Sequence, residues 1–224
     1  MSYLGGKASI FQHYVNLIPS HQRFVEPFAG NASVARNLRR ADEAVLVERD
    51  KAQARILAKE LPGHRVLHGD GIAYLRANIR KWGPETVIFV DPPYPLADRR
   101  SSTTRYSHEL TDADHRELAK LLKGSTAKII VCGYPWGMYP QLFRTWERQE
   151  FRSVLRSGRP SVECAWMNYT DPYPLHDYRF YGADKQQRQD HRRQVQRNLS
   201  KFGEMDKHVR AAVLRELVKT FGNP

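Results

Sequence analysis

The stretch Thr86-Val87-Ile88-Phe89-Val90-Asp91-Pro92-Pro93-Tyr94 decides the reading of this chain. Its first five residues form an apolar, β-branched run of the kind that makes a buried parallel strand. In open α/β sheets ligands lie beyond the carboxyl ends of the strands, so Asp91, Pro92, Pro93 and Tyr94 would project into a site. A carboxylate acceptor, two rigid prolines and an aromatic face could there hold a planar group that carries an amine. Asp91 would accept from the NH2 and Tyr94 would stack on the ring. A Pro-rich turn after a strand is the other reading.

On both sides of this stretch short apolar runs alternate with helix-like segments, the pattern of an α/β protein with a mostly parallel twisted sheet. Strands are expected at 24–28, 44–48, 65–68, 86–90 and 128–132, with weaker ones near 151–155 and 163–168, about seven in all. Helices are expected on both faces, at 7–18, 32–40, 50–61, 71–80 and 112–123. Thr111 can cap the last of these with Asp114 in the capping-box position, and Leu118, Leu121 and Leu122 supply its apolar stripe. This catalytic domain would span 1–172. A basic extension, 173–224, follows with helices at about 185–202 and 205–221.

The chain has 224 residues, 41% apolar and 11% aromatic, enough for one sizeable core and unlike a disordered protein. No apolar run approaches the roughly 20 residues that span a bilayer, and Met1 to Lys7 lack a signal peptide's apolar region. Cys132 and Cys164 lie in strand-like runs without metal-ligand spacing, so free thiols in a reducing cytoplasm are expected, with no metal. A net charge of +12 asks for a polyanionic partner, by default nucleic acid. Charge does not separate DNA from RNA, and no basic amphipathic segment suits a membrane surface.

Two segments carry the basic residues best placed for phosphates. One is the polar loop 95–110, with Arg99, Arg100, Arg105, Tyr106 and His108. The other is the tail, where Arg188, Arg192 and Arg193 fall on the first helix. An ordinary solvated surface is the alternative for both.

Four further signals sit at strand ends. Glu26-Pro27-Phe28-Ala29-Gly30-Asn31-Ala32-Ser33 follows the first strand, where a glycine turn lets backbone approach a ligand and a helix start offers free amides. Glu48 ends the second strand and could accept both hydroxyls of a ribose, with Asp50 as the alternative. Asp70, in Gly69-Asp70-Gly71, could meet an adenine amine or cap the next helix. Gly5-Gly6-Lys7 precedes the first strand; Lys7 could meet a carboxylate, unless the terminus is frayed.

In this order the motifs resemble the S-adenosylmethionine-dependent DNA adenine-N6 methyltransferases of the alpha group, the Dam-like class, over about residues 3–135. Ala165-Trp166-Met167-Asn168-Tyr169 and Leu175-His176-Asp177-Tyr178-Arg179 resemble its short phage and bacterial members. The resemblance implies a Rossmann-like methyltransferase fold and S-adenosylmethionine as cofactor. It places Tyr3, Gly6, Lys7, Glu26, Phe28, Gly30, Glu48, Asp70 and Asp91 around that cofactor, with Lys7 at the methionine end and Asp70 at the adenine. Asp91 to Tyr94 would hold a target adenine flipped out of double-stranded DNA in the bacterial or phage nucleoid. Many members have a second glycine where this chain has Ala32. RNA base-amine methylation, cytosine-N4 methylation and a catalytically silent nucleic-acid binder are the competing functions. With little chain between Asp70 and Asp91 for a recognition domain, target choice would fall to 95–110 and the tail, favouring short or relaxed recognition.

Overall fold

The computed structural model describes residue 7 and residues 9–98, 108–154 and 160–222. Tyr3, Gly6, Arg99, Arg100, Arg105 and Tyr106 lie outside the described residues. The strands are β1 (Arg23–Glu26), β2 (Glu43–Glu48), β3 (Arg65–His68), β4 (Thr86–Val90), β5 (Lys128–Gly133), β6 (Glu147–Val154) and β7 (Pro160–Met167). They form one seven-stranded sheet in the order β3-β2-β1-β4-β5-β7-β6. The five strands β1 to β5 run parallel to one another, and β7 is antiparallel to both β5 and β6. The helices are α1 (Phe11–Val15), α2 (Lys51–Glu60), α3 (Gly71–Asn78), α4 (Asp112–Lys123), α5 (Tyr139–Leu142), α6 (Lys185–Glu204) and α7 (Lys207–Phe221). This is the α/β, Rossmann-like methyltransferase fold.

Because side chains alternate along a strand, the sheet divides its apolar residues between two layers. Val25, Ile88, Val90, Ile129, Val131 and Trp166 join α3 and α4 in one core. On the opposite face Phe89 meets Tyr14 of α1 edge to face, 5.4 Å between ring centres. Leu75, Leu118 and Leu122 are fully buried in the first layer, and each such side chain contributes about 2 kcal/mol. The helix starts are fixed locally. Thr111 accepts from the Asp114 amide while the Asp114 carboxylate accepts from the Thr111 amide, the capping box the sequence predicts. Asp50 and Asp70 cap α2 and α3 by accepting from Gln53 and Ala73.

Three expectations are corrected. Residues 33–38 form turns, with no helix over 32–40. The reason lies just upstream, where Gly30 (φ 51°) and Ala32 (φ 50°) sit in the left-handed region and cannot open a right-handed helix. The helix predicted at 7–18 contracts to Phe11–Val15. In the antiparallel part, β6 begins at Glu147, four residues before the expected start.

The chain divides into two compact units, Met1–His176 and Asp177–Pro224. Residues 174–176 stay with the first unit because the Ser20 amide donates to the Pro174 carbonyl at 2.7 Å and the His176 amide to that of Ile18 at 3.0 Å. The second unit holds α6 and α7. Asp184 caps α6, and neither helix contains a buried residue. Among the described residues no helix is long and apolar enough to cross a membrane.

Candidate active site

The strand order reverses between β1 and β4, where Glu26 and Asp91 end neighbouring parallel strands. A crevice at such a switch point is where open α/β sheets bind ligands. An open cleft of about 820 Å3 lies there, lined by Glu26, Phe28, Gly30, Glu48, Asp70 and Asp91, with His108 and Lys7 at its border.

The Glu48 side of the cleft is built by backbone. The Gly30 amide donates to Glu48 Oε2 at 2.7 Å, and the Asp50 amide donates to Oε1 at 2.7 Å. A carboxylate offers about four acceptor positions, so Glu48 is held rigidly and keeps acceptor capacity toward the cleft. The positive φ of Gly30 aims its amide at Glu48. Asp50 is occupied elsewhere, accepting from the Gln53 amide at 2.9 Å. Asp70 does the same for Ala73 at 2.8 Å, and its other oxygen lies 3.4 Å from Arg49. At Gly71 a side chain would strike the Pro27 carbonyl, so α3 starts hard against the loop that follows β1.

Glu26 is 3% exposed, and its Oε2 has no hydrogen-bond partner among the described residues. Burial, reinforced by Asp91, pushes its carboxyl well above the usual range, while a hydrogen bond from the Ala35 amide opposes this.

At the β4 end the structure gathers a compact charged cluster. Lys7 is 4% exposed. Its ammonium donates to Asp91 Oδ1 at 2.8 Å and to the Tyr94 hydroxyl at 2.7 Å, and lies 3.2 Å from Glu163 Oε2. Tyr94 donates to Glu163 Oε2 at 2.9 Å, and its oxygen is 3.3 Å from Asp91 Oδ1. No described residue donates to Asp91 Oδ2. Burial disfavours the Lys7 ammonium, but Asp91 and Glu163 together outweigh it and hold Lys7 charged. For Asp91, burial raises the carboxyl, Lys7 lowers it and Glu163 raises it further, with a net upward shift.

Of the sequence-predicted site residues that are described, Lys7, Glu26, Phe28, Gly30, Glu48, Asp70, Asp91, Pro92, Pro93 and His108 line this one cleft. Lys7 lines the cleft, while its ammonium donates to Asp91 and Tyr94 and pairs with Glu163. Tyr94 is 5% exposed, its ring under the Lys7 ammonium at 4.9 Å and against the edge of Tyr134 at 4.7 Å. At this burial little of the ring expected to stack on a base is exposed. Tyr134 in turn stacks on Trp136, with ring planes 6° apart and both rings half-buried. Pro92 and Pro93 line the cleft beside Asp91.

Sequence reasoning missed Glu163, whose signal is one acid inside the apolar run Val162-Glu163-Cys164-Ala165-Trp166. It also missed Tyr14, whose hydroxyl reaches Glu163 at 3.4 Å. In the second unit Arg188 and Arg192 donate to the carbonyls of Gly182 and Arg179, and Arg193 lies 3.7 Å from Asp190. Among the described residues no group of His, Cys, Asp or Glu side chains is arranged to hold a metal ion.

The strand order and the cleft at its switch point define a Rossmann-like methyltransferase fold. Over residues 3–48 the chain matches the model of the D12 class N6 adenine-specific DNA methyltransferases. No curated protein matches the sequence. Among solved structures, a candidate methyltransferase from Porphyromonas gingivalis has a TM-score of 0.52 at 18% identity, over 77% of this chain and 44% of that one. A candidate RNA methyltransferase from Pyrococcus horikoshii has a TM-score of 0.50 at 14% identity, over 74% of this chain and 86% of that one. At these identities the likeness is one of fold.

Proposed function

We propose that the protein transfers a methyl group from S-adenosylmethionine to the N6 amine of adenine in DNA. The observation that carries this reading is Asp91, held through Oδ1 by Lys7, with no donor to Oδ2 among the described residues, in the lining of a cleft that Glu48 also lines. The D12 match over residues 3–48 supports adenine and DNA, and a net charge of +12 supports a polyanionic substrate.

The cleft residues fit the cofactor. Glu48 keeps acceptor capacity for two ribose hydroxyls. The unpartnered Oε2 of Glu26 suits the amino group of the methionine part. Asp70, also in the lining, would take the adenine, and Phe28 would supply an apolar wall. When bound, the cofactor offers a methyl group on a sulfonium, whose carbon–sulfur electron pair stays on sulfur as the amine nitrogen bonds the carbon.

The chain's own residues prepare the amine. An adenine amine is a weak nucleophile because its lone pair is delocalised into the ring. Asp91 Oδ2 and the Pro92 carbonyl would accept its two protons and favour a pyramidal nitrogen. Asp91 would then receive the proton the methylated nitrogen sheds. Holding nitrogen and methyl in line supplies up to about 7–11 kcal/mol of barrier reduction. No enzyme nucleophile is needed. The target must leave the duplex first, at a cost of a few kcal/mol.

Asp91→Ala is the test of this reading. Methyl transfer to DNA should disappear while DNA affinity, measured by fluorescence anisotropy, stays within about twofold. Undiminished methylation would refute it.

A further inference from the structure

Glu163 stands 72 positions after Asp91 in sequence, on the antiparallel strand β7, yet its Oε2 shares both of Asp91's partners, Lys7 and Tyr94. The side chain is 14% exposed, and Lys7 is its ion-pair partner among the described residues. A buried carboxylate of this kind is costly unless its charge is compensated. Here one ammonium compensates two carboxylates.

We propose that Glu163 is a positioning residue for Asp91: sharing Lys7 and Tyr94, it keeps the buried ammonium paired while Asp91 takes up and releases a proton. This rests on the methyl-transfer reading for its use, and on geometry for its existence. Tyr94 has one proton to give, and the shorter distance is to Glu163, 2.9 Å against 3.3 Å to Asp91. Lys7 donates to the Tyr94 oxygen, so the hydroxyl hands the Lys7 pull on mainly to Glu163, and its contact with Asp91 Oδ1 is the longer one.

The consequence is chemical. With a lone Lys7–Asp91 pair, protonating Asp91 would strand a buried ammonium without a counter-charge. With Glu163 ionised the ammonium stays paired, so Asp91 accepts the amine proton more readily and returns it to water afterwards. The titratable groups facing Asp91 are Lys7, Tyr14 from α1, Glu26 at the end of β1, Tyr94, Cys132 from β5 and Glu163 from β7. Of these, Glu163 is the acid that touches both Lys7 and Tyr94.

The experiment is Glu163→Gln, which keeps shape and an acceptor oxygen but removes the charge, with Glu163→Asp beside it. Single-turnover methylation of an adenine-containing duplex is measured across pH. In E163Q the acid limb, where Asp91 ionises, should move to lower pH, and the plateau rate should fall on the order of tenfold, as for a weakened general base. KM for the cofactor should not change. E163D should move the limb in the same direction by less. Carboxyl-carbon NMR titration of Asp91, with no cofactor present, should show the same ordered shift. A limb and a carboxyl titration that stay at the wild-type position in both variants would reduce Glu163 to a structural ion pair and overturn the proposal. If the wild type methylates no DNA, the substrate reading fails instead, and the NMR titration still decides the role of Glu163.

Discussion

Replacing Lys7 by Met tests the cluster on which the site is built. The methionine keeps most of the apolar stem and removes the ammonium. Asp91 and Glu163, 17% and 14% exposed and both within 3.2 Å of Lys7 Nζ, would then face each other without a cation. Breaking a buried charge arrangement by deleting one partner costs about 3–5 kcal/mol. For a unit of this size that corresponds to a drop in Tm of roughly 6–20 °C. The loss should depend on pH, with a sign fixed by linkage. Without Lys7 the two like charges raise a carboxyl above its unfolded-state value. A group raised on folding contributes its stability in full below the unfolded value and loses it as pH rises through the folded one. Lys7→Met should therefore be closer to wild type at about pH 5, where one carboxyl protonates, than at about pH 8. Urea unfolding at both values measures it. A loss below about 1 kcal/mol that is equal at the two pH values would refute the reasoning.

Other outcomes follow from single sites. Ala32 sits at φ 50° and 1% exposure, so Ala32→Gly should relieve left-handed strain and raise stability by about 1 kcal/mol, read as a higher urea midpoint at unchanged m-value. His21 is pushed from 6.5 down to about 4 by burial, with the neighbouring His176 ring, stacked at 3.8 Å, and Lys128 adding to it. Its depressed value means stability is complete above about pH 6.5 and declines by up to about 3 kcal/mol as pH falls toward 4, a slope that His21→Gln should remove from an acid unfolding series. If α6 binds DNA phosphates, replacing Arg188, Arg192 and Arg193 by Gln should weaken binding and flatten the plot of log affinity against log salt by up to about 3, one unit for each lost phosphate contact.

The parallel half of the sheet was legible because its strands are short apolar runs with an acid or a proline at the end, and β3 and β4 have the expected bounds. The cleft was legible for the same reason: Glu26, Glu48, Asp70 and Asp91 each mark the carboxyl end of a strand or lie one or two residues beyond it. The turn after Gly30 was not. Helix propensity over 32–40 is fair, but the left-handed backbone at Gly30 and Ala32 overrides it, and nothing in the local pattern reports φ. Glu163 was invisible for a topological reason. The antiparallel insertion of β7 between β5 and β6 brings it beside Asp91, and pairing partners so distant in sequence leave no periodic trace. The second carboxylate on the Lys7 ammonium was hidden with it, since it comes from that strand.

The account stands most directly on one product analysis. The protein is incubated with methyl-labelled S-adenosylmethionine and either duplex DNA or RNA, and the nucleosides are separated after digestion. The account predicts label in N6-methyladenine from DNA, absent with Asp91→Ala. Label in N4-methylcytosine, or in RNA alone, would contradict it.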